Sequence, residues 1–398
     1  MPRLSSVRRR AEARSYNAPM ALSPEVCIRG AGIVGRTLAL LLARERVRVA
    51  LVVPDAAPSP EPAAQDVRAY ALNAASKTLL ESLRGWPDAT HATPVREMRV
   101  HGDEGGHVGF SAAAQKVDAL AWIVDVPALE RQLADAVRFQ PLIDVVPAPV
   151  AAALTVVCEG KASVTRDALG VSYEVTRYPQ HAIAARLDAE TPHDGTARQW
   201  FNEKGEVLAL LPLGGAGGHA VALVWSVDQL RAPALLALGA DEFNAAVREV
   251  SHGALGALTL RSGRAAWPLQ RAIADRWTGR FAEADGGKAW ALAGDAAHTL
   301  HPLAGQGLNL GLADAAALAG VLKDRDYWRS VGDARLLRRY ERARRADVLS
   351  MSLATDGLQQ LFAHATDPLP ALRNWGMRGF DRTGIVKRFV ARQAMKTR

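Results

Sequence analysis

The sequence predicts an α/β protein with a Rossmann-like nucleotide-binding domain, an inserted and mostly antiparallel β-sheet domain, and a C-terminal helical segment. Three observations support this class. The chain opens on a strand, a glycine turn, an apolar helix and a second strand. A strand-rich stretch then interrupts this pattern, and a buried strand with a second glycine turn resumes it near Ala291. One fold inserted into another explains this order better than tandem domains do.

The opening unit has the order strand, helix, strand. Residues 25–29 (EVCIR) predict a strand, residues 33–43 form an apolar helical run, and residues 46–53 (RVRVALVV) predict a second strand. The turn between the first strand and the helix matches G-x-G-x-x-G, in which glycines allow a tight turn, approach of a phosphate and close helix packing. A helix N-terminus also attracts anions. The motif predicts dinucleotide contacts at Gly30, Gly32, Ile33, Val34 and Gly35.

The end of the second strand departs from the usual nucleotide-binding pattern. An acidic residue commonly binds the ribose there, but this chain has Val53-Pro54, with Asp55 just beyond. Either the ribose contact has moved or the adenosine is held less tightly.

The remaining elements follow from periodicity and from turn residues. They are a Pro/Ala loop at 55–65, a link and helix at 67–83, a hairpin at 98–110, a helix at 127–137, a strand at 154–158, an antiparallel sheet at 173–225, a strand at 287–293, and helices from 307 onward. The predicted domains are a disordered extension at 1–22, the nucleotide-binding domain at 23–95, 116–170 and 280–322, the substrate domain at 96–115 and 171–279, and C-terminal helices at 323–398.

A second motif lies at residues 294–309, GDAAHTLHPLAGQGLN. It follows a buried strand and leads into a helix. Asp295 is a short acid at a strand end, where it can bind a sugar-type hydroxyl. The turn Gly305-Gln306-Gly307 presents backbone N–H groups at a helix start, which carries about half a positive charge. Oriented N–H donors of this kind stabilise negative charge on the ring of a bound cofactor.

This motif resembles a known family. The segment GDAAHTLHPLAGQGLNLGLADAAAL, with its Gly-Asp, His-Pro and Gly-Gln-Gly elements, resembles the second FAD motif of the UbiH/UbiF-type ubiquinone-biosynthesis hydroxylases, which are relatives of p-hydroxybenzoate hydroxylase. The resemblance covers most of the chain from about Val26. Residues 68–72 (RAYAL) are similar to the family's Arg-x-x-Ala-Leu segment, whose arginine lies beside FAD.

The resemblance implies an FAD-dependent monooxygenase of the oxidoreductase class, with NAD(P)H and O2 as co-substrates. Its reaction would hydroxylate an aromatic ring through a flavin C4a-hydroperoxide, and a prenylated phenolic ubiquinone precursor is one candidate substrate. The implied FAD contacts are Gly30, Gly32, Ile33, Val34, Gly35, Arg68, Asp295, Pro302, Gly305, Gln306, Gly307, Leu308 and Asn309. Pro302 and Pro212 are candidates for lining the substrate pocket, and no side chain is expected to act as a nucleophile.

Residues 158–163, CEGKAS, depart from the family's Ala-Asp-Gly-x-x-Ser segment. Glu159 replaces the family's aspartate and carries its carboxylate on a longer side chain, and Ala162 replaces a usual arginine. Two alternatives therefore stay open: a flavoprotein with another reaction, such as an epoxidase or reductase, and a non-catalytic flavin-binding accessory protein of a quinone-biosynthesis complex. No metal site is expected, because His298 and His301 lack a supporting cysteine or carboxylate cluster.

Charge and composition constrain the partners. The net charge is +8, and the tail at 385–398 alternates basic and apolar residues. The predicted location is cytoplasmic. The charge pattern predicts peripheral association with the anionic inner face of a membrane, and a solvated helix face is the alternative. A biosynthetic complex is a further candidate partner. No nucleic-acid-binding motif is present, and the first 22 residues lack the apolar core of a secretory signal. The two cysteines lie in apolar runs and are expected to be buried free thiols.

Overall fold

A computed structural model describes residues 23–54, 66–102, 106–202, 204–299 and 306–363 of the chain. Four features predicted from the sequence lie outside these ranges: the extension at 1–22, the loop at 55–65, part of the second motif at 300–305, and the basic tail.

The described strands are β1 (Val26–Arg29), β2 (Val49–Val52), β3 (Ala69–Leu72), β4 (Ala92–Val95), β5 (Glu97–His101), β6 (His107–Ser111), β7 (Ala121–Asp125), β8 (Ile143–Val146), β9 (Leu154–Val157), β10 (Tyr173–Ala189), β11 (Thr196–Phe201), β12 (Val207–Pro212), β13 (Ala220–Asp228), β14 (Leu258–Leu260), β15 (Ala265–Ala274), β16 (Thr278–Arg280), β17 (Ala289–Leu292) and β18 (His298–Thr299). The described helices are α1 (Ile33–Arg44), α2 (Ala74–Ser82), α3 (Ala112–Gln115), α4 (Val126–Arg138), α5 (Val164–Ala168), α6 (Ala232–Ala237), α7 (Ala240–Val250), α8 (Gln306–Lys323) and α9 (Ala334–Ala363).

The first sheet has the order β16-β17-β9-β1-β2-β8, and all its pairings are parallel except β16 with β17. Strands β2, β9 and β17 are buried along their whole length. Such continuous apolar strands are typical of parallel sheets covered on both faces. Helix α1 packs against α4 and α8 over this sheet, so α1 and α8, the helices that follow the two motifs, lie in one layer.

The second sheet has the order β18-β15-β10-β13-β12-β11-β5-β6, and β14 also pairs with β10. Its pairings are antiparallel except that β11 lies parallel to β5. One face packs on α6 and α7 around Trp225 and Phe243. The opposite face meets the small sheet β3-β7-β4. Strand β18 comes from the second motif, so this sheet reaches directly to the candidate site.

The predicted fold class is confirmed, including the C-terminal helical segment, which the structure describes as far as Ala363. The domain boundaries remain a prediction. Both cysteines are buried and free. The predicted link before α2 contains strand β3, and the antiparallel sheet continues beyond Trp225 into β15. In the described part of the chain, no helix is long and apolar enough to cross a bilayer.

Candidate active site

The first turn has a backbone geometry that requires glycine. Gly30 has φ +106°, and a Cβ there would lie 2.4 Å from the carbonyl oxygen of Cys158. A Cβ at Gly35 would lie 1.9 Å from the carbonyl oxygen of Gly30. At Gly32, in contrast, no atom lies within 4 Å of a built Cβ, and this N-cap residue of α1 makes no side-chain cap. The turn therefore leaves open space beside a helix start, as a dinucleotide pyrophosphate requires.

The turn at Gly294, which opens the second motif and is called the second turn from here on, packs closely against the helix that follows the first turn. Gly294 has φ +63°, and a Cβ there would lie 3.2 Å from Cγ2 of Val34. A Cβ at Gly311 on α8 would lie 2.8 Å from the same Cγ2 and 3.3 Å from Cα of Gly294. We call Val34, Gly294 and Gly311 the glycine junction. It brings together two motifs that are far apart in sequence.

Asp295 directly follows Gly294 of the junction in the sequence. Its side chain is exposed, yet the protein around it raises the pKa of its carboxyl by desolvation, against the lowering effects of His298 and Lys161. The backbone carbonyl of Asp295 accepts a hydrogen bond from the Tyr173 hydroxyl at 2.7 Å, which ties the turn to β10. The carboxylate stays available to accept from hydroxyl groups of a ligand.

A buried carboxylate lies behind this turn. Asp314 on α8 is fully buried and accepts from the Gly294 N–H at 2.9 Å, from His298 Nε2 at 2.6 Å and from Arg344 Nε at 2.8 Å. Burial alone would raise the pKa of Asp314, but His298 and Arg344 outweigh it and hold the pKa below its ordinary range. We call Asp314, His298 and Arg344 the charge cluster. Sequence reasoning missed it, although a lone acid in the apolar run LNLGLADAAALAG was a signal.

The start of α8 is anchored to the segment after β3. Asn309 is buried, donates from Nδ2 to the Ala71 carbonyl at 2.9 Å, and accepts from the Asn73 N–H at 3.0 Å and the Ser76 hydroxyl at 2.7 Å. Gly307 and Leu308 are half-buried beside it. The amide of Asn309 therefore fixes the helix start rather than facing open space.

Arg68 lies near β3 and is held by its own neighbours. Its guanidinium donates to Asp66 through Nε at 2.9 Å and Nη2 at 2.6 Å, and Glu130 lies 3.9 Å away. The bond to Asp66 raises the pKa of Arg68, so the side chain stays charged. The arginine remains partly exposed, which leaves it free to contact a ligand.

Glu159 is fully engaged with the protein. Its carboxylate lies 3.1 Å from Arg29 Nε and accepts from the Ser163 hydroxyl at 2.7 Å and from the Thr165 N–H at 3.0 Å. Burial would raise the pKa of Glu159, but the bonds from Thr165 and Ser163, with Arg29, lower it. The longer arm thus caps α5 and braces the end of β1. Val53 stands where nucleotide-binding proteins commonly have an acid that binds the ribose. Its N–H donates to the Val146 carbonyl at 2.9 Å.

Three of the tryptophans on strands are core residues. Trp200, Trp225 and Trp290 are at most 5% exposed and belong to hydrophobic cores, whereas Trp267 is half-buried. Pro212 is buried at the end of β12. Pro302 and Gly305 lie outside the described residues, and Gln306 is described only as the first residue of α8.

Comparisons with known proteins agree with this geometry. Residues 135–352 match the family model described as FAD binding domain. The 3-demethoxyubiquinol 3-hydroxylase of Escherichia coli is 31% identical, over 93% of this chain and 98% of the relative. The ubiquinone hydroxylase UbiL of Rhodospirillum rubrum is also 31% identical, over 94% of this chain and 90% of the relative.

Solved structures share the fold. PqsL, a probable FAD-dependent monooxygenase from Pseudomonas aeruginosa, superposes with a TM-score of 0.70 at 22% identity, over 89% of this chain and 99% of its own. The p-nitrophenol 4-monooxygenase PnpA from Pseudomonas putida superposes with a TM-score of 0.69 at 17% identity, over 94% and 99%.

Proposed function

The chain belongs to the FAD-binding monooxygenase family that includes the ubiquinone hydroxylases, and on this premise we propose that it hydroxylates the aromatic ring of a prenylated phenolic ubiquinone precursor. The predicted family, the FAD cofactor and the oxidoreductase class are confirmed by these relatives. The substrate class is taken from the names of these relatives, and we propose it for this chain.

The observation that carries the proposal is the glycine junction. It brings the start of α1, the turn before Asp295 and helix α8 together within a few ångströms, as a single elongated cofactor requires. We assign the pyrophosphate to the first turn, where Gly32 borders open space. The proposed ribityl and ring contacts are Asp295, Gln306, Gly307, Leu308 and Asn309, with Arg68, Pro302 and Gly305 as further contacts.

Bound FAD supplies the redox chemistry, accepting a hydride from NAD(P)H and activating O2 for transfer of one oxygen atom to the ring. The protein's part is binding, orientation and exclusion of water. Asp295 would accept a hydrogen bond from a ribityl hydroxyl of the cofactor, and the N-terminus of α8 would stabilise negative charge on the edge of the flavin ring. Pro212, buried at the end of β12, would line the substrate pocket and help to exclude water from the reacting ring. No covalent nucleophile is required of any side chain.

We also propose peripheral association with an anionic membrane surface, since a prenylated phenol is lipid-soluble and the net charge of +8 favours anionic lipid. The tail that motivates this proposal lies outside the described residues. Sedimentation with vesicles that contain or lack anionic phospholipid tests it. Binding that requires anionic lipid and weakens with salt supports the proposal, and equal sedimentation with both vesicles contradicts it.

Purified protein loaded with FAD provides the direct test of function. We expect anaerobic NADH or NADPH to bleach the yellow flavin faster when a demethoxyubiquinol with a shortened prenyl tail is present. Readmitted ¹⁸O2 should then place one ¹⁸O atom on the ring of the product. Colourless protein that does not take up FAD would favour the accessory-protein alternative. Bleaching without ring labelling would favour a reductase.

A further inference from the structure

The charge cluster lies directly behind the part of the chain that faces the cofactor site. Asp314 accepts a hydrogen bond from the Gly294 N–H at 2.9 Å, and the side chain of the next residue, Asp295, is exposed. One helical turn before Asp314, Gly311 lies against Gly294. A directional hydrogen bond and a close backbone contact therefore set the position of Asp295 relative to the start of α8.

The cluster joins elements that the glycine contacts alone do not join. His298 lies in β18, Arg344 in α9 and Asp314 in α8. Each of these three side chains is at most 2% exposed. His298 Nδ1 has no hydrogen-bond partner among the described residues, so Asp314 supplies the hydrogen bond that orients the imidazole. The imidazole also packs on Trp277, with the two ring centroids 5.0 Å apart. Loss of the carboxylate would release the turn, the strand and α9 together.

Stability alone is a weak reason for this arrangement. Removing a carboxylate and a guanidinium from water is costly, and apolar residues of similar volume often replace buried ion pairs without loss of stability. A carboxylate does provide fixed directions, because its two oxygens accept from three donors at 2.6–2.9 Å. Fixed positions of the surrounding groups matter most where two separate parts of the chain must contact the same cofactor.

We propose that Asp314 is a positioning residue for the flavin. It contacts neither cofactor nor substrate and acts through Gly294 and Asp295. Its carboxylate holds the second turn and the start of α8 in one arrangement, so that Asp295 and the helix N-terminus reach the same cofactor. This inference rests on FAD binding at the proposed site and is independent of which phenol is hydroxylated.

The test is Asp314→Asn in the full chain. Asparagine keeps the shape but has one acceptor oxygen, which cannot serve Gly294, His298 and Arg344 equally. We expect the dissociation constant for FAD, from fluorescence titration of the apoprotein, to rise at least tenfold. At saturating FAD, the preference for the reduced flavin should also fall tenfold, which is about 30 mV in midpoint potential for a two-electron couple.

Tyr340→Phe is the matched control. Tyr340 is fully buried, and its hydroxyl donates to the Leu292 carbonyl at 2.9 Å, at the end of the strand that leads into the same turn. The substitution removes a buried hydrogen bond and leaves the charge cluster intact. We expect a lower urea midpoint with an unchanged FAD dissociation constant and midpoint potential.

A second variant covers the case in which Asp314→Asn does not fold because the buried Arg344 charge loses its partner. Asp314→Asn combined with Arg344→Met removes that charge and should show the same two shifts. The proposal is overturned if either folded variant binds FAD within twofold of wild type at an unchanged potential. Failure of both to fold also overturns it, because the cluster would then serve the whole fold. Wild-type protein that binds no FAD would instead refute the proposed function.

Discussion

The two glycine turns of the cofactor site are fixed by different physics. The first contacts its surroundings through backbone atoms, since built Cβ atoms at Gly30 and Gly35 meet carbonyl groups. The second is held by the buried carboxylate of Asp314 as well as by close packing at Gly294. Sterics therefore govern substitutions at the first turn, and both charge and sterics govern those at the second. This contrast shows why residue spacing predicts both glycine turns but not the buried carboxylate behind the second one.

The largest effect is expected at Gly35. In Gly35→Ala the new methyl would lie 1.9 Å from the Gly30 carbonyl oxygen, so the turn must open. Overpacking of this kind costs about 3 kcal/mol, and we expect FAD binding to be lost. Urea unfolding of the apoprotein and FAD fluorescence titration measure the two effects.

Gly32→Ala is the matched variant on the same turn. No atom lies within 4 Å of its built Cβ, so the apoprotein should keep its stability within about 0.5 kcal/mol. FAD affinity should nevertheless fall at least tenfold, because the methyl occupies the space assigned to the pyrophosphate. Wild-type FAD affinity in Gly32→Ala would contradict the assignment of the first turn.

Asp295→Asn separates stability from binding at the second turn. The pKa of Asp295 is raised in the fold, so its ionised form destabilises the apoprotein at neutral pH, and this cost disappears below its ordinary pKa of 3.8. We expect the variant apoprotein to be at least as stable as wild type at pH 7 and to bind FAD more weakly. Urea midpoints at pH 7 and FAD titration check both, and a less stable apoprotein with unchanged FAD affinity would contradict the ligand role.

Two glycines of α8 test how closely that helix approaches α1. Gly311→Ala places a methyl 2.8 Å from Val34 Cγ2 and should destabilise the protein by about 1–3 kcal/mol. Gly320→Ala on the same helix meets no atom within 4 Å and should stabilise it by up to about 1 kcal/mol. Thermal or urea unfolding distinguishes them, and equal effects at both positions would argue against the junction.

The smallest effect is expected at Glu159. Glu159→Gln weakens the bonds to Arg29 and Thr165 and should cost about 1 kcal/mol at pH 7. Because the folded pKa lies below the ordinary value of 4.5, the wild-type advantage is complete above about pH 4.5 and declines as the pH falls through the folded pKa. A difference between the two proteins that grows on acidification would contradict this account, and urea unfolding at several pH values measures it.

The sequence predicted the features that depend on local pattern. Glycine spacing and apolar periodicity located β1, α1 and the motif before α8 because neighbouring residues carry those signals. The charge cluster was not predicted from the sequence, because His298 and Arg344 lie 16 and 30 residues from Asp314 and no local pattern pairs them. Glu159 was recognised as a departure, but its partners depend on how β1 and α5 pack.

A structure of the protein with bound FAD tests the central claim most directly. We expect one FAD, with its pyrophosphate at the Gly32 N-cap of α1 and its ring edge at the start of α8 near Gly307, joined past the glycine junction. FAD bound elsewhere would contradict the account, for example in the cavity of about 540 Å³ between Val150 and Phe281, with the space beside Gly32 left to solvent.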